Sequence, residues 1–302
     1  MKNLRKLLAP LSIVLLSVIV FSSCKKDDPV VAAPTDITAV AIGDAQFSTL
    51  VAALQKADLV KTLQGAGPFT VFAPNNAAFT KAKITSLDGL SKEALSPILL
   101  YHVLGAKVLA GGIANGQTEV TTAGGPKMYI TKNASGVFIN GNTKVIATDV
   151  NASNGVIHVL DNVLTDIPSK TITKYVVDAN DFSTLESLVI RAGLDGLLSS
   201  GAYTVFAPTN AAFEELFKTV NPATLTTAQI KNILEYHVVA GRVFSPELAN
   251  GEVTMANGGK VTVDLTNGVS VKGKSSSASK VTLANVMTTN GVIHAIDKVL
   301  LP

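Results

Sequence analysis

Two kinds of periodicity follow one another along this chain, and the whole succession occurs twice. Phe182, Leu185, Leu188 and Val189 fall on one helical face, with Asp181 or Ser183 available as a cap and Gly193 as a stop; Phe47, Leu50, Val51 and Leu54 repeat the pattern earlier. An apolar run, Tyr203–Phe206, is then closed by Ala207-Pro208, and Asn210 is placed to start a helix with Phe213, Leu216 and Phe217 on one face. Glu214 and Glu215 sit in its first turn, where the helix dipole favours acids. The earlier copy reads Phe69–Phe72, Ala73-Pro74, Asn76, Phe79, with Asn75 where the later one has Thr209. A third helix is predicted at 226–239, carrying the stripe Ile230, Ile233, Leu234, His237, Val238. Its earlier counterpart, Leu95, Ile98, Leu99, His102, Val103, contains Pro97, which predicts a kink or a later start. Beyond this point the period drops to two: Val261, Val263 and Leu265 alternate with polar residues, Asn267-Gly268 signals a hairpin, and Val269 and Val271 resume the alternation. The serine-rich stretch 274–280 reads as a mobile loop between strands.

Landmarks recur in the same order at nearly constant spacing. Tyr101-His102-Val103 returns as Tyr236-His237-Val238, and Asn154-Gly155-Val156-Ile157-His158 as Asn290-Gly291-Val292-Ile293-His294. This is a duplicated domain, expected at 36–167 and 171–302, with the short joint Pro168-Ser169-Lys170 placing the copies in contact. Helices first and strands after, in about 130 residues, predict an α+β fold with an antiparallel or mixed sheet.

Composition narrows the function. A net charge of +3, with basic residues scattered beyond the N-terminus, argues against a nucleic-acid surface. The only cysteine, Cys24, leaves no internal disulfide and no thiolate metal cage. It closes a signal-like segment: Lys2, Arg5 and Lys6, then an apolar run from Leu7 to Phe21, then Ser22-Ser23-Cys24. The run is shorter than the ~20 residues a spanning helix needs. Cys24 after two small residues resembles the lipobox of bacterial lipoproteins, with Phe21 departing from its usual Leu, so residues 1–23 are expected to be a lipoprotein signal peptide and 24–35 a lipidated tether. Lys25-Lys26-Asp27-Asp28 reads equally as a solvated charged tether or as a tag sending a lipoprotein to the outer face of the outer membrane.

All four histidines lie at matched positions in the two copies. His102 and His237 occupy a core stripe, where a hydrogen-bonded structural role is the commoner one. His158 and His294 lie in strands apolar on both faces, which are central and buried; Asp161 and Asp297, three residues on, point to the other face. Each copy offers two His and no Cys, so no metal site is expected. No Gly-x-Ser-x-Gly elbow and no phosphate loop are present, so neither an enzyme nor a cofactor is expected.

The Thr-Val-Phe-Ala-Pro-Thr-Asn-Ala-Ala-Phe block, the Tyr-His dipeptide and the terminal Asn-Gly-Val-Ile-His block resemble the fasciclin domain family, in that family's order and in both copies. The resemblance implies a β-sandwich or wedge flanked by helices, twice over. It also implies adhesion or matrix interaction outside the cell, with a protein or polysaccharide ligand; the separate lipobox resemblance at Cys24 adds attachment to the outer membrane, at the cell surface or facing the periplasm. The Tyr-His pair has been linked with adhesion in animal members, which carries over to Tyr101, His102, Tyr236 and His237. A periplasmic or envelope scaffold and a small-molecule (lipid or glycan) binding protein are the alternative readings; an apolar cavity leaves no motif.

Overall fold

The computed structural model describes residues 35–194, 196, 198 and 201–302. Residues 1–34, which hold the expected signal, Cys24 and all of the expected tether but Thr35, lie outside the described residues. From Pro34 onward the chain is one compact unit.

The first copy runs α1 (Ile37–Gly43), α2 (Ser48–Lys56), α3 (Val60–Leu63), β1 (Phe69–Pro74), α4 (Asn76–Lys81), α5 (Lys92–Tyr101), β2 (Val103–Leu104), β3 (Gly116–Thr121), β4 (Lys127–Asn133), β5 (Gly136–Ile139), β6 (Thr143–Ala152) and β7 (Gly155–Leu160). The second runs α6 (Ile172–Asp178), α7 (Ser183–Ala192), β8 (Tyr203–Pro208), α8 (Asn210–Phe217), α9 (Thr227–Glu235), β9 (Val238–Ala240), β10 (Gly251–Thr254), β11 (Lys260–Asp264), β12 (Ser270–Lys272), β13 (Ser279–Thr288) and β14 (Gly291–Ile296). Each builds a seven-stranded sheet, ordered β2-β1-β7-β6-β5-β4-β3 and β10-β11-β12-β13-β14-β8-β9. The sheets are mixed: β1 runs parallel to β7 and β8 to β14, and the other pairs are antiparallel.

Side-chain alternation in the central strands separates two cores per copy. Val71, Ala73, Ile157 and Val159 face the helices, while Phe72 and Leu160 face Met128, Ile130 and Ile139 of the outer strands. The ten-residue strands β6 and β13 carry the register shifts that bend the sheet over this second core, giving the expected helix-flanked wedge.

The repeated Asn-Gly is a lock between elements. Asn154 Oδ1 accepts from Ile37 N at 2.9 Å and Nδ2 donates to Leu63 O at 2.7 Å; Asn290 does the same with Ile172 N and Leu198 O. Any Cβ on Gly155 would lie 2.2 Å from Phe69 O, and one on Gly291 2.2 Å from Tyr203 O, so only glycine lets β7 and β14 approach their parallel neighbours.

Several elements differ from the sequence reading. The helix cap in the repeated motif is the residue before the expected one: Asn75 Oδ1 accepts from Ala78 N at 2.9 Å and Thr209 Oγ from Ala212 N at 3.4 Å. Asn76 and Asn210 instead reach across to the preceding helix, accepting from Thr49 N and Thr184 N at 3.0 Å, because α2 and α7 have no capping side chain of their own. Asn210→Ala is therefore expected to lower stability by about 1–2 kcal/mol, more than Thr209→Ala, in urea unfolding. The third helix of the second copy ends at Glu235, not 239: the Ile233 carbonyl takes His237 Nδ1–H, and Val238 pairs with Val205 in the sheet. Pro97 does not delay α5, which starts at Lys92 under the Ser91 cap as α9 starts at Thr227. The serine-rich loop spans 273–278 and is tied to the C-terminus, with Ser275 N donating to Leu301 O and Ser275 Oγ to Pro302 O.

Candidate functional site

The Tyr-His pairs are interior. Tyr101, Tyr236, His102 and His237 are all 2% exposed or less. The tyrosines stand in the wedge core itself, as the largest fully buried side chains among the described residues. Each imidazole is satisfied at both nitrogens in its neutral form. His237 Nδ1 donates to Ile233 O at 2.8 Å and Nε2 accepts from Leu300 N at 2.9 Å; His102 repeats this with Ile98 O and Leu164 N. The pair thus staples the end of α5 or α9 to the segment that follows the last strand. Burial holds both imidazoles neutral, their pKa pushed down to about 4.

His158 and His294 staple another place. His158 Nε2 donates to Val108 O at 2.8 Å while Nδ1 accepts from Asp149 N at 3.2 Å; His294 does so with Val243 O and Asn285 N. Asp149 and Asn285 sit at the strand bulges in left-handed conformation, and their side chains in turn accept from Ala110 N and Ser245 N. Each domain so gains a rigid head: the loop 107–112 with Asp149, or 242–247 with Asn285.

At the other end the tyrosines carry a tail face. Tyr101 OH donates to Lys127 O and accepts from Asn140 Nδ2, whose Oδ1 accepts from Tyr129 N. Tyr236 OH donates to Lys260 O and accepts from Lys274 N.

The tail of the first domain and the head of the second meet. Arg242 stacks over the Tyr129 ring with its carbon 4.3 Å from the centroid, and Phe244, fully buried, packs on the same ring. Gln117 Nε2 donates to Arg242 O and to Glu247, Thr131 Oγ1 to Glu247 Oε1, and Asn133 Nδ2 to Pro246 O. Asn285 Nδ2 donates to Gly141 O and Asn142 Oδ1. A Cβ on Gly141, whose φ is +73°, would fall 2.8 Å from the Phe244 side chain. None of these joint residues was legible in one copy alone; the signal lies in the departures between copies, where Lys107, Leu109, Gly112 and Asp149 stand at the positions of Arg242, Phe244, Glu247 and Asn285.

Among the described residues no three His, Cys, Asp or Glu side chains gather to hold a metal. The apolar slot beside α6 and α7 has a volume of about 40 Å³, too little for an acyl chain. Lys81 bridges to Asp161 at 2.8 Å, so that Asp is engaged away from His158.

Comparison with known proteins places these features. The family model described as Fasciclin domain matches residues 45–166 and 180–302. The chain is 28% identical over 247 residues to transforming growth factor-beta-induced protein ig-h3 of Sus scrofa, covering 80% of this chain and 35% of that protein. It is 29% identical over 259 residues to periostin of Homo sapiens, covering 81% and 29%. Protein sll1483 of Synechocystis sp. is 44% identical over 132 residues, covering 42% of this chain and 72% of that one. The chain therefore spans about a third of the length of the animal relatives. Among solved structures, a FAS1 domain pair from the insect cell adhesion molecule fasciclin I aligns over 85% of this chain and 97% of that one, at 18% identity and a TM-score of 0.42.

Proposed function

Since the chain belongs to the fasciclin domain family and carries the domain twice, we propose that it is a non-enzymatic adhesion or matrix-binding protein, lipid-anchored through Cys24 at the outer membrane and displayed on the cell surface. Fasciclin domains are linked to adhesion and matrix interaction. The observation that carries the reading is that the chemistry-bearing side chains of the repeated motifs, four histidines and two tyrosines, are spent on internal hydrogen bonds. What is left for recognition is the outer surface of a braced tandem, which suits a protein or polysaccharide ligand. The lipobox-like Ser22-Ser23-Cys24 supports the anchor.

The test is twofold. Radiolabelled palmitate is expected to enter the wild type and not Cys24→Ala, and cells bearing the protein are expected to bind at least one of a panel of matrix proteins and polysaccharides above background. Unlabelled wild type overturns the anchor, and a folded protein that binds nothing on the panel overturns the adhesive role. Protease shaving of intact cells that spares the protein points to the periplasm-facing scaffold.

A further inference from the structure

The joint between the domains uses one head and one tail, and the duplication leaves a second head and a second tail unused. On the first domain, Leu109 occupies the place of Phe244 and is 44% exposed where Phe244 is 0%. On the second, Glu252 and Lys260 form the same ion pair as Glu119 and Lys127 in the joint, with the exposed strand face around Thr262 lying where Tyr129 lies.

The residues that differ between the used and unused surfaces differ in a matched way. In the joint, Arg242 lies over the Tyr129 ring, and Tyr129 OH donates to Glu119, whose carboxyl is held below its usual range first by that hydrogen bond and by Lys127 and last by the Arg242 charge. On the unused surfaces this becomes Lys107 opposite Glu252, again a cation against a carboxylate. Asn285, which donates to the Gly141–Asn142 turn, is replaced by Asp149, and that turn by Gly273-Lys274, so an amide contact becomes an acid opposite a base. Glu247, which accepts from Thr131, is replaced by Gly112, and Thr131 by Asp264; a glutamate retained there would have faced an aspartate. A Cβ on Gly273 would meet this chain's own Leu301 and Ser276 where one on Gly141 meets Phe244, and the open cleft beside it, about 610 Å³ and lined by Tyr236, Glu252, Thr262 and Lys274, is the seat left for Leu109.

We propose that the free head of the first domain (Lys107, Leu109, Asp149) docks on the free tail of the second domain (Glu252, Lys274) of another copy of this chain, repeating the internal joint between molecules. The contact is heterologous, so each added copy presents a further free head or tail and the assembly grows head to tail, unlike a self-complementary dimer. Leu109 is the apolar centre of the contact, and the two charge pairs set its register.

Residues 34–302 hold all four wedge and helix cores, and this segment is the sample for sedimentation velocity between about 1 µM and about 1 mM. The sedimentation coefficient is expected to rise with concentration without reaching a dimer plateau. Leu109→Asp, at an exposed position that leaves the circular dichroism spectrum unchanged, is expected to abolish the rise. Lys107→Glu is expected to weaken association about 10-fold, and Glu252→Lys added to it to restore association. A single species at every concentration, a closed dimer, or association that survives Leu109→Asp overturns the proposal.

Discussion

Lowering the pH from 7 to 4 is expected to cost each domain roughly 3 kcal/mol of stability through its Tyr-His imidazole alone. His102 and His237 have pKa values of about 4 in place of the ordinary 6.5, because burial excludes the charged form. The unfolded chain takes up these protons below pH 6.5, whereas the folded chain refuses them until about pH 4. Their contribution is therefore complete above pH 6.5 and is lost as the pH falls through this window, at roughly 3 kcal/mol for each histidine. His294 is shifted in the same direction by burial and adds to the loss in the second domain. Each domain has one such Tyr-His staple, and a domain of this size has only about 5–15 kcal/mol in total. The urea midpoint measured at pH 7, 6, 5 and 4 should fall steeply, and His237→Gln should flatten the curve for the second domain. A midpoint that stays level from pH 7 to pH 4.5 contradicts buried neutral histidines.

Gly141→Ala is expected to uncouple the two domains while leaving each folded. The new methyl would enter the space of Phe244 and of Asn285, whose Cγ lies 2.7 Å from the Cβ position, on a backbone already at positive φ. Separating the surfaces gives up the Arg242–Tyr129 stack and the Phe244–Tyr129 ring contact, about 0.5–2 kcal/mol each, along with the Gln117, Thr131 and Asn133 hydrogen bonds. Amide exchange in 242–247 should accelerate several-fold and calorimetry should resolve two transitions, whereas Gly43→Ala, where the added Cβ meets nothing within 4 Å, should leave the joint intact. Unchanged exchange in 242–247 would show that the joint does not depend on this close approach.

Much of the fold was legible because both copies report it. Apolar alternation and the Asn-Gly-Val-Ile-His block fixed the central strands, and the order of the blocks identified the family. The parallel pairing of β1 with β7 was not legible, since strands so far apart in sequence carry no local signal of partnership. The role of Asn210 was missed for a related reason: a side chain that caps its own helix and one that caps a neighbour look alike in sequence, and only the packing of α7 against α8 decides. The Tyr-His pairs were visible as residues and as a core stripe. Their hydrogen bonds to Leu164 and Leu300, about sixty residues away, were not. The joint was invisible in either copy taken alone, because its residues are ordinary polar and aromatic types whose meaning comes from what faces them.

The central claim is that the repeated histidines are internal struts, and NMR titration of the four imidazoles tests it most directly. The account predicts that His102 and His237 remain neutral, protonated on Nδ1, down to about pH 4. Titration of either ring near pH 6.5 in the folded protein would place it in water and return the Tyr-His pairs to the accessible surface.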